Sequence, residues 1–211
     1  GDFYAKAMSI YGKKYLERWR PQLIVPVPLH PRKKRNRGFN QAAYLAERLS
    51  GFCGIPWRED VVRKVRNTRS QKKLNAAKRR QNLKNAYQVT ADITGLSVLV
   101  VDDVYTTGST MDAMAQCLLE AGAKEVHVRI SSPPFLHPCY FGTDIPSEDQ
   151  LIAHNRSVDE ICKIIGADSL AYLDEECLYE MSKGLGICTG CFNGKYPLDP
   201  PTEDIRGDYQ K

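Results

Sequence analysis

The sequence predicts an α/β fold, in which a mainly parallel sheet is flanked by helices. Residues 98–101 form a short apolar, β-branched run, which is typical of a strand buried on both faces. From Met111 the apolar residues recur at helical spacing until Gly122, where a helix would end. Residues 125–130 then repeat the strand pattern. A strand, a helix and a strand in this order predict a right-handed crossover within one sheet.

The remaining elements follow from local patterns. Residues 3–19 have the apolar spacing of an amphipathic helix, and residues 40–50 predict a second one. A strand should end near Val25 or Val27, because the prolines that follow are rejected by central strands. Residues 55–60 suggest a short strand and residues 61–65 the start of a hairpin. We expect a core over residues 1–135 and a C-terminal extension over 136–211, helical near 147–185, that packs on it.

Composition limits the class of protein. With 211 residues the chain can bury one core and a small appendage. It has no apolar run long enough to cross a bilayer and no signal-peptide pattern, so we expect a cytoplasmic protein without a membrane partner. Residues 1–131 carry 24 Lys and Arg against 11 Asp and Glu, whereas the rest carries 6 against 14. The basic part could meet a polyphosphate or a nucleic acid, and charge alone leaves both open.

The stretch after the central strand predicts a ligand site. Unpaired backbone N–H groups at a helix N-terminus hold phosphate, and a glycine lets the backbone approach it. Two carboxylates just upstream would repel a phosphate, so we expect them to face ribose hydroxyls and a Mg²⁺ ion. A plain strand–turn–helix, with Ser109 or Thr110 as the cap, is the alternative. The carboxylates are Asp102 and Asp103, and the phosphate residues are Thr106, Thr107, Gly108, Ser109 and Thr110.

Residues 98–110, Val-Leu-Val-Val-Asp-Asp-Val-Tyr-Thr-Thr-Gly-Ser-Thr, resemble the signature of the type I phosphoribosyltransferases. These enzymes bind phosphoribosyl pyrophosphate (PRPP). The resemblance implies that Asp102 and Asp103 contact the ribose and its Mg²⁺, and that residues 106–110 wrap the 5-phosphate. It also implies transfer of the phosphoribosyl group to a nitrogen nucleophile, which could be ammonia or a base, with release of pyrophosphate. We expect a homo-oligomer.

Residues 20–121 resemble the competence protein F (ComF) branch of that family, through Val-Pro-Val-Pro-Leu-His-Pro and Arg-Gly-Phe-Asn-Gln. The resemblance makes Pro28, Leu29 and His30 the candidate pyrophosphate loop, within a cationic loop over residues 29–41. Residues 63–84 hold ten Lys and Arg and no acid. The family has a flexible loop here that closes over pyrophosphate, so Arg69 and Lys72 are candidate catalytic groups that neutralise the leaving group. A nucleic-acid surface is the alternative reading of these charges.

Residues 122–199 resemble instead the C-terminal end of the amidophosphoribosyltransferases, through His-Pro-Cys-Tyr-Phe-Gly-Thr-Asp-Ile-Pro and Cys-Thr-Gly-Cys. That resemblance implies phosphoribosylamine formation in purine biosynthesis. The family's glutaminase domain has no match in this chain, so free ammonia is the expected nitrogen source. Iron–sulfur members bind a [4Fe–4S] cluster, which makes Cys139, Cys188 and Cys191 candidate ligands of an incomplete set. Reduced, unliganded thiols are the alternative.

Two resemblances in one chain predict a splice between relatives of one fold, natural or artificial. An enzyme that transfers phosphoribosyl groups is the first hypothesis. A ComF-like protein without catalysis, which keeps the PRPP pocket and acts in DNA uptake (competence), is the second. A PRPP-sensing regulator is the third.

Overall fold

A four-stranded parallel sheet forms the centre of the protein in the computed structural model, which describes residues 2–66, 85–106, 109–140 and 147–199. Across the sheet the strands lie in the order β1, β4, β5, β6. A separate two-stranded sheet pairs β2 with β3 in antiparallel fashion. The strands are β1 (Leu23–Pro26), β2 (Val62–Lys64), β3 (Tyr87–Val89), β4 (Ser97–Asp102), β5 (Glu125–Ile130) and β6 (Ser169–Tyr172).

Helices cover both faces of the parallel sheet, as a sheet of this kind requires. The helices are α1 (Asp2–Tyr11), α2 (Lys13–Trp19), α3 (Pro31–Arg37), α4 (Gln41–Cys53), α5 (Ser109–Glu120), α6 (Val158–Ile165), α7 (Glu175–Ser182) and α8 (Gly190–Asn193), with a 3₁₀ turn at Glu148–Gln150. The predicted α/β class, the strands at 98–101 and 125–130 and the helix between them are confirmed. The strand predicted to begin a hairpin at residues 61–65 forms as β2, and its antiparallel partner β3 lies more than twenty residues later.

The apolar core has two layers, one on each face of the sheet. On one face α1 and α4 pack on β1 and β4, where Ile24 and Leu99 are fully buried. On the other face α5 and α6 pack on β4 and β5, where Val100 and Val128 are fully buried. Strand β4 lies in the middle of the sheet, so its side chains meet apolar neighbours on both sides, which explains the unbroken apolar run.

Because the strands are parallel, the carboxyl ends of β1, β4 and β5 meet at one edge of the sheet. The backbone N–H of Val27 donates to Val101 O at 3.0 Å, and that of Ser131 donates to Asp102 O at 3.1 Å. These bonds hold the segment after β1 and the segment after β5 beside the acidic pair that ends β4. Ligands of open α/β sheets bind at such an edge.

Two predicted elements are wrong in detail. The single helix over residues 3–19 is divided into α1 and α2 at Gly12, where a Cβ would clash with Met8 O. The cationic loop over residues 29–41 contains helix α3, which has Pro31 at its first position and His30 as its N-cap. Of the short strand expected over 55–60, one isolated parallel bridge between Ile24 and Trp57 is formed.

The C-terminal extension contributes to the central sheet, although a helical segment was the expectation. Helices α6 and α7 lie in the expected range, but strand β6 stands between them and pairs in parallel with β5. The sheet therefore crosses the predicted boundary at residues 135 and 136, and the division into core and extension stays a prediction. Within the described residues, no helix has the length and apolar character that crossing a membrane requires.

Candidate functional site

A small cavity of about 200 Å³ lies at the carboxyl edge of the sheet. It is lined by the segment after β1, the acidic pair after β4, the first turn of α5 and the β2–β3 sheet. The structure thus brings together two groups of candidate residues that are more than 70 positions apart in the chain. The lining residues that matter below are Pro28, Leu29, His30, Asn40, Lys64, Tyr87, Asp102, Asp103 and Thr110.

Asp102, the first residue of the acidic pair, has a perturbed pKa. Burial raises the pKa of Asp102 well above its usual range, and the neighbouring charge of Asp103 raises it further. The Asp102 carboxylate accepts one hydrogen bond, from the Asp103 backbone N–H at 2.9 Å. Two neighbouring carboxyl groups, one of them buried, repel each other when both are ionised. This part of the cavity therefore favours a cation, or a diol that can donate hydrogen bonds to the carboxyl groups.

Lys64 supplies a cation to this cavity, and sequence reasoning counted it only as one member of a basic run. Its ammonium lies 5.3 Å from the ring centroid of Tyr87, which β3 places beside it. Burial lowers the pKa of Lys64 to about 8, the charge of Lys33 lowers it further, and the charge of Asp102 opposes both. The antiparallel pairing of β2 with β3 is what turns Lys64 toward the acidic pair, and no local motif reveals that.

The segment after β1 is held by hydrogen bonds that the sequence did not reveal. The buried side chain of Asn40 donates from Nδ2 to Val27 O at 3.1 Å, which fixes the backbone just before Pro28. His30 accepts at Nδ1 from the Arg32 backbone N–H at 3.3 Å, as the N-cap of α3. Both residues line the cavity, so the predicted pyrophosphate segment has a fixed shape there.

The predicted 5-phosphate residues are only partly described. Thr110 lines the cavity from the first turn of α5. Thr106 precedes the helix, and its carbonyl accepts from the Ile152 N–H at 2.8 Å. Ser109 begins α5, but its side chain lies outside the described part, as do Thr107 and Gly108. Arg69 and Lys72, the candidate groups for the leaving pyrophosphate, also lie outside the described residues.

A Mg²⁺ ion fits the chemistry of the acidic pair. Mg²⁺ usually binds one or two protein carboxylates and completes its shell with substrate phosphates and water. Asp102 and Asp103 are such a donor set, and the charge shortage at Asp102 is what a bound cation would relieve. Within the described residues, no group of three or more His, Cys, Asp and Glu side chains is placed to hold a metal ion. A Mg²⁺ ion here would therefore need substrate oxygens and water to complete its coordination.

The described residues give no support to the predicted cluster site. Cys139 and Cys191 both pack on the apolar cluster of Phe135 and Leu151. Burial raises the pKa of Cys191 to about 11, and the neighbouring thiols of Cys139 and Cys188 raise it further. Cys188 is exposed. The described part of the chain contains no metal-binding group that includes these residues, so the [4Fe–4S] cluster has no support.

A second and larger cavity adjoins the first. Its volume is about 980 Å³, and it shares Asn40, Gln41 and Asp103 with the smaller one. Ser131 and Ser132, which follow β5, line it, and the Ser132 hydroxyl is buried with no hydrogen-bond partner among the described residues. Its walls are otherwise largely aromatic, from Tyr4, Phe39, Tyr44, Trp57, Phe135 and Phe192. The larger cavity therefore borders the acidic pair at Asp103.

Comparison with known proteins agrees with the predicted fold. The family model for the phosphoribosyl transferase domain matches residues 35–131, which include the β4 strand, the acidic pair and helix α5. The chain therefore carries a phosphoribosyltransferase domain of the type I fold.

The most similar relatives that we compared are amidophosphoribosyltransferases. The amidophosphoribosyltransferase of Synechococcus elongatus is 39% identical over 164 residues, 74% of this chain and 32% of that protein. The Archaeoglobus fulgidus amidophosphoribosyltransferase is 44% identical over 120 residues, 55% of this chain and 26% of that protein. The solved glutamine PRPP amidotransferase of B. subtilis, complexed with ADP and GMP, superimposes with a TM-score of 0.71 at 28% identity, covering 96% of this chain and 42% of its own.

This chain is thus a homologue of the amidophosphoribosyltransferases, and it spans about a third of the length of the first curated relative. An alignment over 74% of the chain is too long to fit after residue 122, so the similarity is not confined to residues 122–199. The ComF resemblance of residues 20–121, and the splice that it suggested, remain predictions.

Proposed function

We propose that this chain binds PRPP with Mg²⁺ and transfers its phosphoribosyl group to a nitrogen nucleophile, releasing pyrophosphate. One observation carries the proposal. The cavity that Asp102 and Asp103 line is also lined by Pro28, Leu29 and His30, so a ribose contact and a pyrophosphate contact are available to one ligand. The names of the relatives support the same reaction class.

In this proposal each group of predicted residues contacts a different part of PRPP. Asp102 and Asp103 accept hydrogen bonds from the ribose hydroxyls and hold the Mg²⁺ ion, which supplies positive charge to the pyrophosphate when bound. The segment 28–30 faces the pyrophosphate. Thr110 and the N-terminal turn of α5 face the 5-phosphate. Arg69 and Lys72 stay candidates for neutralising the leaving group.

The reaction is a substitution at the ribose C1. The bond from C1 to the pyrophosphate oxygen breaks and its electron pair leaves with pyrophosphate, while the lone pair of the nucleophile forms the C1–N bond. The new nitrogen centre loses one proton. Negative charge grows on the leaving pyrophosphate, and we propose that Lys64, held on the wall of the same cavity, stabilises that charge.

Ammonia is the nucleophile that we propose first, because the relatives are named amidophosphoribosyltransferases, and it would give phosphoribosylamine for purine biosynthesis. A base is the alternative, and the aromatic cavity of about 980 Å³ beside Asp103 is far larger than ammonia needs. The experiment measures pyrophosphate release from PRPP and Mg²⁺ with ammonium chloride and, separately, with purine and pyrimidine bases. Release with ammonia alone supports the amidophosphoribosyltransferase reaction, and release with a base alone assigns a base. Release with neither contradicts the proposal.

Nucleic-acid binding is the second candidate, and one observation favours it. Helix α3 carries five basic residues in seven, all exposed, beside the smaller cavity. Only Lys34 among them forms an ion pair in the described part of the chain, with Glu59 at 2.6 Å. Binding to DNA that weakens steeply with salt and that PRPP competes away would support this role. The cytoplasmic location and the homo-oligomer remain predictions, and the [4Fe–4S] cluster is not part of the proposal.

A further inference from the structure

A polar strip interrupts the sheet face that α1, α2 and α4 cover. Strand register places Ile24, Leu99, His127 and Ser169 side by side on this face, one from each strand. The first two are apolar and fully buried, but β5 presents His127 and, two residues later, Arg129. Both are buried polar residues, with exposed fractions of 3% and 7%. Such groups are uncommon in a core unless they are paired.

Aromatic rings enclose the guanidinium of Arg129. Its Cζ lies 3.7 Å from the ring centroid of Trp19 and 5.3 Å from that of Tyr15. Tyr15 stacks on Trp19 with ring centroids 4.8 Å apart, and His127 stacks on Trp19 at 5.1 Å. Helix α2 supplies both aromatic rings, so it contacts the polar strip through a cation–π arrangement rather than through aliphatic side chains.

Arg129 has no counter-ion among the described residues. The guanidinium donates to the carbonyl of Val128 and, at 3.5 Å, to Ser169 Oγ, and no carboxylate lies within 4 Å of it in the described part. Burial lowers the pKa of Arg129 to about 9, so it is still charged at neutral pH. A guanidinium has five N–H donors, and two bonds leave most of them unused. Burying a charge without a counter-ion destabilises the folded state, so a buried arginine of this kind usually has a function that outweighs the cost.

The strip borders a cavity of about 780 Å³ that runs between α2 and strand β6. Arg129, Trp19 and Ser169 line it, as do the basic residues Lys14 and Arg18. Acidic side chains line it too, namely Asp159, Asp168, Asp174 and Glu175. Asp168 is the acidic residue nearest in sequence to the polar strip. Its carboxylate already accepts a hydrogen bond from the Val126 N–H at 2.8 Å. The cavity shares no lining residue with the smaller cavity at the carboxyl edge of the sheet.

We propose that this cavity is a second ligand site, which binds a small metabolite through one carboxylate or phosphate group paired with Arg129. The ligand supplies the counter-ion that the described residues do not provide, and a guanidinium has the planar fork that binds an oxyanion through two hydrogen bonds. Trp19 and Tyr15 hold the fork in place before the ligand arrives. Lys14 and Arg18 partly offset the negative charge of the four acidic side chains in the lining. The site is independent of the proposed transferase reaction, because it lies away from the acidic pair.

Trp19 itself provides the assay. The chain has two tryptophans, Trp19 and Trp57, so a Trp57→Phe variant reports on Trp19 alone. Sodium phosphate and sodium acetate are titrated separately into this variant at constant ionic strength, with chloride as the control. We expect a saturable change in tryptophan emission with one or both probes. A response to phosphate alone indicates a phosphate site, and a response to acetate alone indicates a carboxylate site. Phosphate bound beside Asp102 shares no lining residue with this cavity, so it should leave the emission of Trp19 unchanged.

Two variants complete the test in the same background. Arg129→Gln should weaken the binding at least tenfold, and Arg129→Lys, which keeps the charge without the fork, should weaken it less. The control is Arg48→Gln, which removes an exposed arginine that pairs with Asp2 at 3.0 Å and should change nothing. If Arg129→Gln fails to fold, the comparison of Arg129→Lys with the parent decides. No saturable signal from either probe in the parent, or equal affinity in the Arg129 variants, overturns the proposal and leaves Arg129 as a brace for α2.

Discussion

Replacing Lys64 with methionine should stabilise the protein while weakening its binding of PRPP. The pKa of Lys64 falls from 10.5 to about 8, chiefly because the ammonium is buried. That difference corresponds to about 3 kcal/mol of unfavourable free energy in the folded state at neutral pH. Methionine has a similar length and no charge, so the variant escapes the penalty and still packs on the ring of Tyr87.

The pH dependence has a definite sign. The folded protein binds the Lys64 proton less tightly than the unfolded chain does, so the penalty is complete below the folded pKa of about 8. It declines as the pH rises from there toward the unfolded value of 10.5 and is absent above it. The stabilisation by Lys64→Met should therefore be largest at pH 7 and should shrink between pH 8 and 10.

Thermal unfolding at pH 7 and pH 9.5 measures this effect, and calorimetry with PRPP and Mg²⁺ measures the binding. A gain of about 1–3 kcal/mol raises the Tm by about 3–10 °C for a chain of this size. Loss of one charge-assisted contact to the pyrophosphate should weaken the binding about tenfold to 100-fold. Lys124→Met, at an exposed lysine, is the control and should change neither quantity. A Lys64→Met variant that is less stable, yet binds PRPP normally, would refute the reasoning.

Three further predictions test the supports of the site. Asn40→Ala removes the bond to Val27 O, so urea unfolding should show a loss of about 1–3 kcal/mol and PRPP binding should weaken. Ser157→Ala breaks the capping box that Ser157 forms with Glu160 at the start of α6, so it should cost about 0.5–2 kcal/mol in the same assay while PRPP binding persists. Removing Mg²⁺ with EDTA should abolish PRPP binding, which excess MgCl₂ should restore; calorimetry that shows unchanged affinity would contradict the metal role of Asp102.

The elements that were predicted correctly are those whose structure depends mainly on neighbouring residues in the sequence. The apolar run of β4, the helical spacing after Met111 and the turn at Gly122 specify a strand, a helix and a turn with little help from distant residues. The acidic pair could be found because it follows a buried strand directly. The pyrophosphate segment after β1 was found through resemblance, and the parallel pairing of β1 with β4 brings it to the same cavity.

The features that the sequence did not reveal depend on contacts between distant residues. Lys64 meets the acidic pair because β2 pairs with β3, which lies more than twenty residues later. Strand β6 is short and half polar, and it is a strand because β5 offers it a parallel edge. Helix α3 forms in the basic run that was predicted to be a cationic loop, because His30 caps the helix and Pro31 starts it. The buried Arg129 looked like an ordinary strand residue.

Calorimetric titration with PRPP and Mg²⁺ tests the central claim most directly, on the wild type and on the double variant Asp102→Asn/Asp103→Asn. The variant should fold, because an amide at position 102 removes a charge that burial disfavours. We predict saturable binding by the wild type and its loss in the double variant. Absence of binding by the wild type, or equal binding by both proteins, would contradict the claim that this pocket is a PRPP site.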